Sequence, residues 1–280
     1  MSAIRVWVDG TMVAANEPAV SAVDHGVTVG DGAFETVKVD GGTPFAVSRH
    51  LRRLDFTMRG LGLPLPDHDR VREGIRAVLS GEPIDFGRLR CTITGGWGPL
   101  GSDRLASDPT YIVTAVPHER PAAHGRVVTV PWVRNERSAT AGLKTTSYAE
   151  NVVALAHAQE RGAMEAVFAN TRGQLCEATG SNVFLVIDGV VRTPALSSGC
   201  LAGITRELTI EWCRADGIDV LEEDLPLDVL EGADEVFLTS SIKDVFPVSG
   251  VDDRSLHTSG PVTRQVLDVW RRHAALTVDP

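Results

Sequence analysis

The chain contains only three lysines, Lys38, Lys144 and Lys243, and they sit in unlike surroundings. Lys38 comes just before the turn Asp40-Gly41-Gly42, where a hairpin would expose it. Lys243 follows Thr239-Ser240-Ser241 and reads as a surface or substrate-facing cation. Lys144 is different: small and apolar residues, Ala139 to Leu143, precede it, and an amphipathic helix pattern follows. Partial removal from water favours the neutral amine, which can act as a nucleophile or a base. Downstream, Glu177 sits among small residues at the start of an apolar strand, and a buried carboxylate needs a cationic or hydrogen-bonding partner. Taken as chemistry alone, the pair reads equally as a reactive amine with its acid or as a surface lysine with a strand-edge glutamate.

The elements that would position these groups alternate between strands and helices. Ile4 to Val8 turns at Asp9-Gly10 into Met12-Val13, an opening hairpin. The stretch Asp24 to Thr36 holds three glycines, which implies positive φ or close backbone approach, and leads into a strand from Phe34 to Val39. Ser48 is placed to cap a helix from His50 to Arg59 with Leu51, Leu54 and Met58 on one face, and Asp67 caps a second from His68 to Leu79. Gly87 to Thr94 alternates as a strand and runs into Gly95-Gly96-Trp97-Gly98-Pro99-Leu100-Gly101, which reads as a mobile loop. A strand from Thr110 to Val116 then gives way to a proline-rich linker.

The second half opens with a strand, Arg126 to Val130. A helix from Tyr148 to Arg161 follows Lys144, and short strands cover Ala166 to Phe168, Asn182 to Ile187 and Val190 to Arg192, with a tight turn at Asp188-Gly189. Leu201-Ala202-Gly203-Ile204-Thr205-Arg206 opens a helix whose inner face is Ile204, Leu208 and Trp212. Free N–H groups and a hydroxyl at such a start make a natural phosphate seat, although most helix starts bind nothing. Glu235 to Leu238 is a strand, and a last helix from Pro261 to Ala275 buries Val262, Val266, Val269 and Trp270. The expected architecture is mixed, α/β or α+β, in two domains: 1–117, a linker at 118–125, and 126–280 carrying Lys144.

Two phrases carry more than their chemistry. Lys144-Thr-Thr-Ser-Tyr followed by Asn151, paired with Glu177-Ala-Thr-Gly-Ser-Asn-Val-Phe, resembles the class IV aminotransferase and aminodeoxychorismate lyase family. The resemblance extends from Gly30-Asp31-Gly32 to Ser241. It implies a two-domain enzyme of fold type IV, D-amino acid aminotransferase-like, with pyridoxal 5'-phosphate (PLP) between the domains, an amine substrate and a homodimer. It further implies that Lys144 is linked to the cofactor and moves protons, and that Glu177 pairs with the ring nitrogen. Arg53, Ile204, Thr205, Ser240 and Ser241 would then hold the phosphate. A lyase that releases pyruvate from 4-amino-4-deoxychorismate to give 4-aminobenzoate, for folate synthesis, is the first expectation. Transamination of D-amino or branched-chain amino acids is the alternative. The D-amino acid transaminases carry a tyrosine and an arginine where this chain has Val27 and Gly95. Arg90, Arg104, Arg134 and Lys243 are the other cations a substrate carboxylate could meet.

Composition narrows the remaining classes. A net charge of −10 argues against nucleic acid as the main partner, since phosphate backbones demand clustered cations. No uncharged apolar run is long enough to span a membrane and no signal-peptide core is visible, so a cytoplasmic protein with no membrane partner is expected. Cys91, Cys176, Cys200 and Cys213 form no C-x-x-C pair and read as buried reduced thiols; no metal site is expected. Neither H-E-x-x-H nor G-x-S-x-G occurs. A noncatalytic scaffold would have lost a costly site residue, yet Lys144, Glu177 and Arg53 are all present.

Overall fold

A computed structural model describes residues 4–257 and 260–280. Two compact units divide the chain. One runs up to Arg120 and takes in Leu143–Tyr148 and Val278–Pro280; the other comprises Pro121–Gly142 and Ala149–Thr277.

The first unit contains β1 (Arg5–Val8), β2 (Thr11–Val13), α1 (His25–Thr28), β3 (Gly32–Asp40), β4 (Thr43–Pro44), α2 (Val47–Leu61), α3 (His68–Leu79), β5 (Phe86–Thr94) and β6 (Tyr111–Pro117). Its six strands form one antiparallel sheet in the order β2-β1-β6-β5-β3-β4. Side-chain alternation along β3 and β5 sends Ala33, Val37, Val39, Leu89, Cys91 and Ile93 into a core shared with Leu51, Leu54 and Met58 of α2. Phe34, Thr36 and Lys38 share the other face with their cross-strand partners Thr92, Arg90 and Arg88. Lys38 is consequently buried rather than exposed, because it lies within the strand and not in the turn beyond it.

Helix α2 is capped two residues before the expected Ser48. Its N-cap is Ala46, in a left-handed conformation and with no side-chain cap bond. The orphan donors are met from the far end of the chain: Ala46 N donates to Val278 O (2.7 Å), and Ser48 N and Oγ donate to the Asp279 carboxylate (2.8 and 2.6 Å). Asp67 does cap α3, accepting from the backbone N–H groups of Asp69 and Arg70.

The segment around Lys144 was expected with the second domain, yet it packs with the first unit. The reason is an open strand edge. Strand β4 covers β3 only at Val39 and Asp40, and the 144–146 backbone takes the first residues of its edge: Phe34 N donates to Lys144 O (3.0 Å) and Thr146 N to Gly32 O (2.8 Å). Gly30, at φ +70°, lets Ser147 come close enough to donate from its hydroxyl to Gly30 O (3.0 Å).

The second unit contains β7 (Gly125–Arg134), α4 (Ala149–Glu160), β8 (Glu165–Asn170), β9 (Leu175–Ala178), β10 (Asn182–Ile187), β11 (Val190–Pro194), α5 (Ile204–Ala215), β12 (Val220–Glu223), α6 (Val229–Gly232), β13 (Glu235–Ser240), β14 (Asp244–Val251), β15 (Arg254–Ser255) and α7 (Pro261–Ala274). Its sheet is mixed, in the order β12-β11-β10-β13-β14-β7-β8-β9, with β15 on β14. Strands β7 and β8 run parallel to their β14 and β7 neighbours, joined through α4, and the Asp188-Gly189 turn has the positive φ values of a tight hairpin. In α7 it is Thr263, not Val262, that is fully buried alongside Val266, Val269 and Trp270.

Candidate active site

In the first unit the chemistry gathers around two side chains of β3 that point to opposite faces. Glu35 points into the core, an unusual place for a carboxylate. Arg53 of α2 answers it with a two-pronged bond, Nε to Oε1 at 2.8 Å and Nη2 to Oε2 at 2.6 Å. His50, one turn earlier, brings Nδ1 to 2.6 Å of Oε2. Burial pushes the Glu35 carboxyl up, but Arg53 and then His50 outweigh it and hold the acid down at about 2. Burial also lowers His50, and the nearby Arg53 and Lys144 charges add to that effect. The arrangement is an ionised carboxylate that locks the Arg53 guanidinium in one orientation.

Phe34, on the other face, collects cations. The Lys144 Nζ lies 4.4 Å from its ring centroid and 5.7 Å from that of Tyr148, and the two rings meet edge to face at 5.2 Å. The Arg90 guanidinium lies 3.7 Å from the Phe34 centroid and donates from Nε to Thr92 Oγ1 (3.1 Å). Lys144 is anchored through its main chain, with its N–H on the buried Thr57 hydroxyl of α2 (3.3 Å). The Lys144 amine and a second cation therefore share one aromatic ring.

The loop 95–101, expected to be mobile, is bonded to the 23–31 segment. His25 N donates to Gly96 O (2.8 Å), Gly98 N to Val23 O (3.1 Å), and His25 Nε2 meets Pro99 O at 3.0 Å. Arg104 is engaged in a two-pronged pair with Asp31 (2.7 and 2.6 Å). Its expected availability to a carboxylate is thus taken up locally.

In the second unit Glu177 lies on β9, its Oε2 accepting from Leu201 N at 3.0 Å. Arg134 brings Nε to 3.5 Å of Oε1, bonds Glu150, and stacks its guanidinium 4.2 Å from the Phe168 centroid. Ile204 and Thr205 form the first turn of α5, whose Gly203 N-cap supplies no side-chain bond. A Cβ at Gly203 would collide with the Asn182 side chain, which itself donates to Leu201 O (2.8 Å). A twelve-residue helix thus begins at a glycine N-cap with no side-chain bond, with Thr205 buried in its first turn, and the N-terminus of such a helix favours negative charge. Ser240 closes β13 and Ser241 follows it; both are partly buried. Lys243 is half-buried rather than a free surface cation: its amine pairs with the buried Glu165.

Sequence reasoning singled out Lys144, Arg53, Glu177, Ile204, Thr205, Ser240 and Ser241 but missed Glu35, His50, Leu201 and the pairing of Lys243. One signal for the first two was present. Glu35 is a lone acid at an inward position of an apolar strand, and His50 and Arg53 lie three apart on the facing helix.

With this geometry in view, comparison with known proteins identifies the class. The profile described as amino-transferase class IV matches residues 32–251, and the chain belongs to that family. It is 30% identical over 277 residues to a Methanocaldococcus jannaschii protein provisionally named a branched-chain-amino-acid aminotransferase, covering 96% of each chain. A hypothetical aminotransferase from Mycobacterium tuberculosis, solved in its PLP-bound form, superposes with a TM-score of 0.85 at 28% identity, covering 99% of this chain and 100% of that one. A Legionella pneumophila protein provisionally named 4-amino-4-deoxychorismate lyase gives 0.86 at 26% identity, covering 92% and 96%. The fold is type IV, and the cofactor is PLP. Each unit carries groups of the kind that molecule needs: a lysine and a locked arginine in the first, and in the second an acid on a backbone N–H and a helix start with a glycine N-cap. No helix among the described residues is long and apolar enough to cross a membrane.

Proposed function

We propose that this enzyme moves an amino group between an amino acid and a 2-keto acid. The observation that carries the reading is the Phe34 ring with Lys144 and Arg90 both against it, a nucleophilic amine beside a cation suited to a substrate carboxylate. When bound, PLP supplies the electron sink that lets the substrate Cα lose a proton. Lys144 would hold the cofactor at its aldehyde carbon and would carry the proton to and from the substrate Cα. Glu177, steadied by Leu201 N, holds a proton at the ring nitrogen. Arg53, the Ile204 and Thr205 N–H groups, the Thr205 hydroxyl, Ser240 and Ser241 bind the phosphate. Arg90 orients the substrate carboxylate so that Cα faces Lys144.

A second reading is the 4-amino-4-deoxychorismate lyase. Lys38, Arg88 and Arg90 lie on one sheet face, with Lys38 directly opposite Arg88 in the ladder. Arg88 and Arg90 are cations on that face that a dicarboxylate such as aminodeoxychorismate would meet. Lys144 would then take the ring proton as pyruvate leaves. The Legionella protein's provisional name supports this reading. Gly95, where D-amino acid transaminases carry arginine, weakens the D-amino acid version of the first. The large exposed apolar side chains Trp132, Val152 and Val153 on β7 and α4 support a homodimer, which sedimentation would test.

One assay pair separates the two reactions. PLP-loaded protein receives a panel of D- and L-amino acids with 2-oxoglutarate or pyruvate, and separately aminodeoxychorismate without a keto acid. Amino transfer in the panel is expected. Rapid 4-aminobenzoate and pyruvate formation with a silent panel would overturn transamination in favour of the lyase.

A further inference from the structure

A buried ion pair outside the residues assigned above binds together the two turns on which several of them depend. Glu165 begins β8, and its side chain is only 4% exposed. Its carboxylate accepts from three consecutive residues of the turn that follows Glu177: Thr179 Oγ1 (3.2 Å) and Gly180 N (2.7 Å) on Oε2, and Ser181 Oγ (2.6 Å) on Oε1. A further donor arrives from a distant part of the chain. The Lys243 amine bonds Oε1 and lies 3.4 Å from Ser181 Oγ. Lys243 also closes its own turn, its N–H donating to Ser240 Oγ at 3.3 Å.

Strands β13 and β14 are paired from Ser240 and Asp244 onward, so residues 241–243 form the hairpin tip. The Lys243 side chain ties that tip to β8 and to the 179–181 turn. Burial alone would push the Glu165 carboxyl up, but Lys243, Ser181 and Gly180 together bring it below the ordinary carboxylate range. The carboxylate therefore stays charged, and a charged group with four donors has one favourable position.

We propose that Lys243 and Glu165 form a positioning pair that fixes the spacing between the Ser240–Ser241 turn and the Glu177 turn, and so sets how tightly PLP is gripped. The inference rests on the reading in which Ser240 and Ser241 meet the phosphate and Glu177 the ring nitrogen. PLP has a rigid ring and carries its phosphate on a single short CH2–O link, so the separation of phosphate and ring nitrogen has a narrow range and a shift of one turn against the other is felt as lost affinity. Neither residue touches the reacting atoms.

The test measures PLP affinity by absorbance titration of apo-protein and, in parallel, the thermal midpoint of the same apo-protein. Lys243→Met weakens PLP by about tenfold or more, while Lys243→Arg, which keeps the charge and the reach, stays within about threefold of wild type. Lys243→Met strands a buried carboxylate and lowers the midpoint as well. The double variant Glu165→Gln with Lys243→Met removes that stranded charge, so it recovers the apo midpoint but remains weakened for PLP. If Lys243→Met binds PLP as wild type does, or if the double variant recovers affinity along with its midpoint, the pair is merely structural and the proposal is overturned. If wild-type protein forms no borohydride-reducible near-visible band with PLP, the functional reading itself fails and this inference falls with it.

Discussion

Replacing Glu35 with glutamine tests the most deeply buried ionic contact at the site. The variant keeps the shape of the side chain but removes the charge that meets Arg53 at 2.6 and 2.8 Å and His50 at 2.6 Å. Glu35 is 2% exposed and the Arg53 side chain 9%, so solvent screens little of this. Holding the acid at about 2 rather than the ordinary 4.5 corresponds to about 3 kcal/mol in favour of the folded state at neutral pH. Removing one partner of a buried pair costs a similar amount, roughly 3–5 kcal/mol. The sign follows from the lowered pKa. The contribution is complete above the unfolded-state value and is lost as pH falls through the folded one, so at about pH 3.5 only about 2 kcal/mol should remain. Urea unfolding of apo-protein, followed by tryptophan fluorescence, should place the variant about 3 kcal/mol below wild type at pH 7, with the gap narrowing on acidification. Trp7, buried in the same core, reports on this unit. A variant within about 0.5 kcal/mol of wild type at pH 7, or a gap that stays constant on acidification, would refute the reasoning.

Three further outcomes are expected. Lys144→Ala should lose both turnover and the reducible near-visible band while its far-ultraviolet circular dichroism matches wild type; retained turnover would remove Lys144 from its assigned role. Glu177→Gln should keep most of its PLP but lose about 10²-fold in kcat, since its assigned task is electrostatic; loss of PLP with per-site kcat intact would contradict that task. Asp279→Ala removes the only side chain that caps α2 among the described contacts, and should lower stability by about 1 kcal/mol in thermal unfolding; an unchanged midpoint would mean that water substitutes for it.

The legible parts of this protein were local ones. The Asp67 cap, the Asp188-Gly189 turn, the apolar face of α2 and the helix opening at Ile204 each depend on residues a few positions apart, and periodicity or turn chemistry reads such features directly. The residues of the candidate site were found largely because their wording matches a family; spacing alone left Lys144 and Glu177 open to an ordinary surface reading. Charges were misplaced wherever their partners are distant in sequence. Lys38 looked exposed because its turn was visible and the strand face opposite was not. Lys243 looked free because Glu165, which holds it, lies 78 residues away.

What the sequence alone determined was therefore the mixed architecture, the family and its cofactor. Only the tertiary structure decided that Lys144 packs on the open edge of β3, that the end of the chain caps α2, and that Glu35 and Glu165 are the anions organising their surroundings. The physical reason is that a buried charge is stabilised by whichever donors the fold brings to it, and local propensity carries no record of contacts made across tens or hundreds of residues.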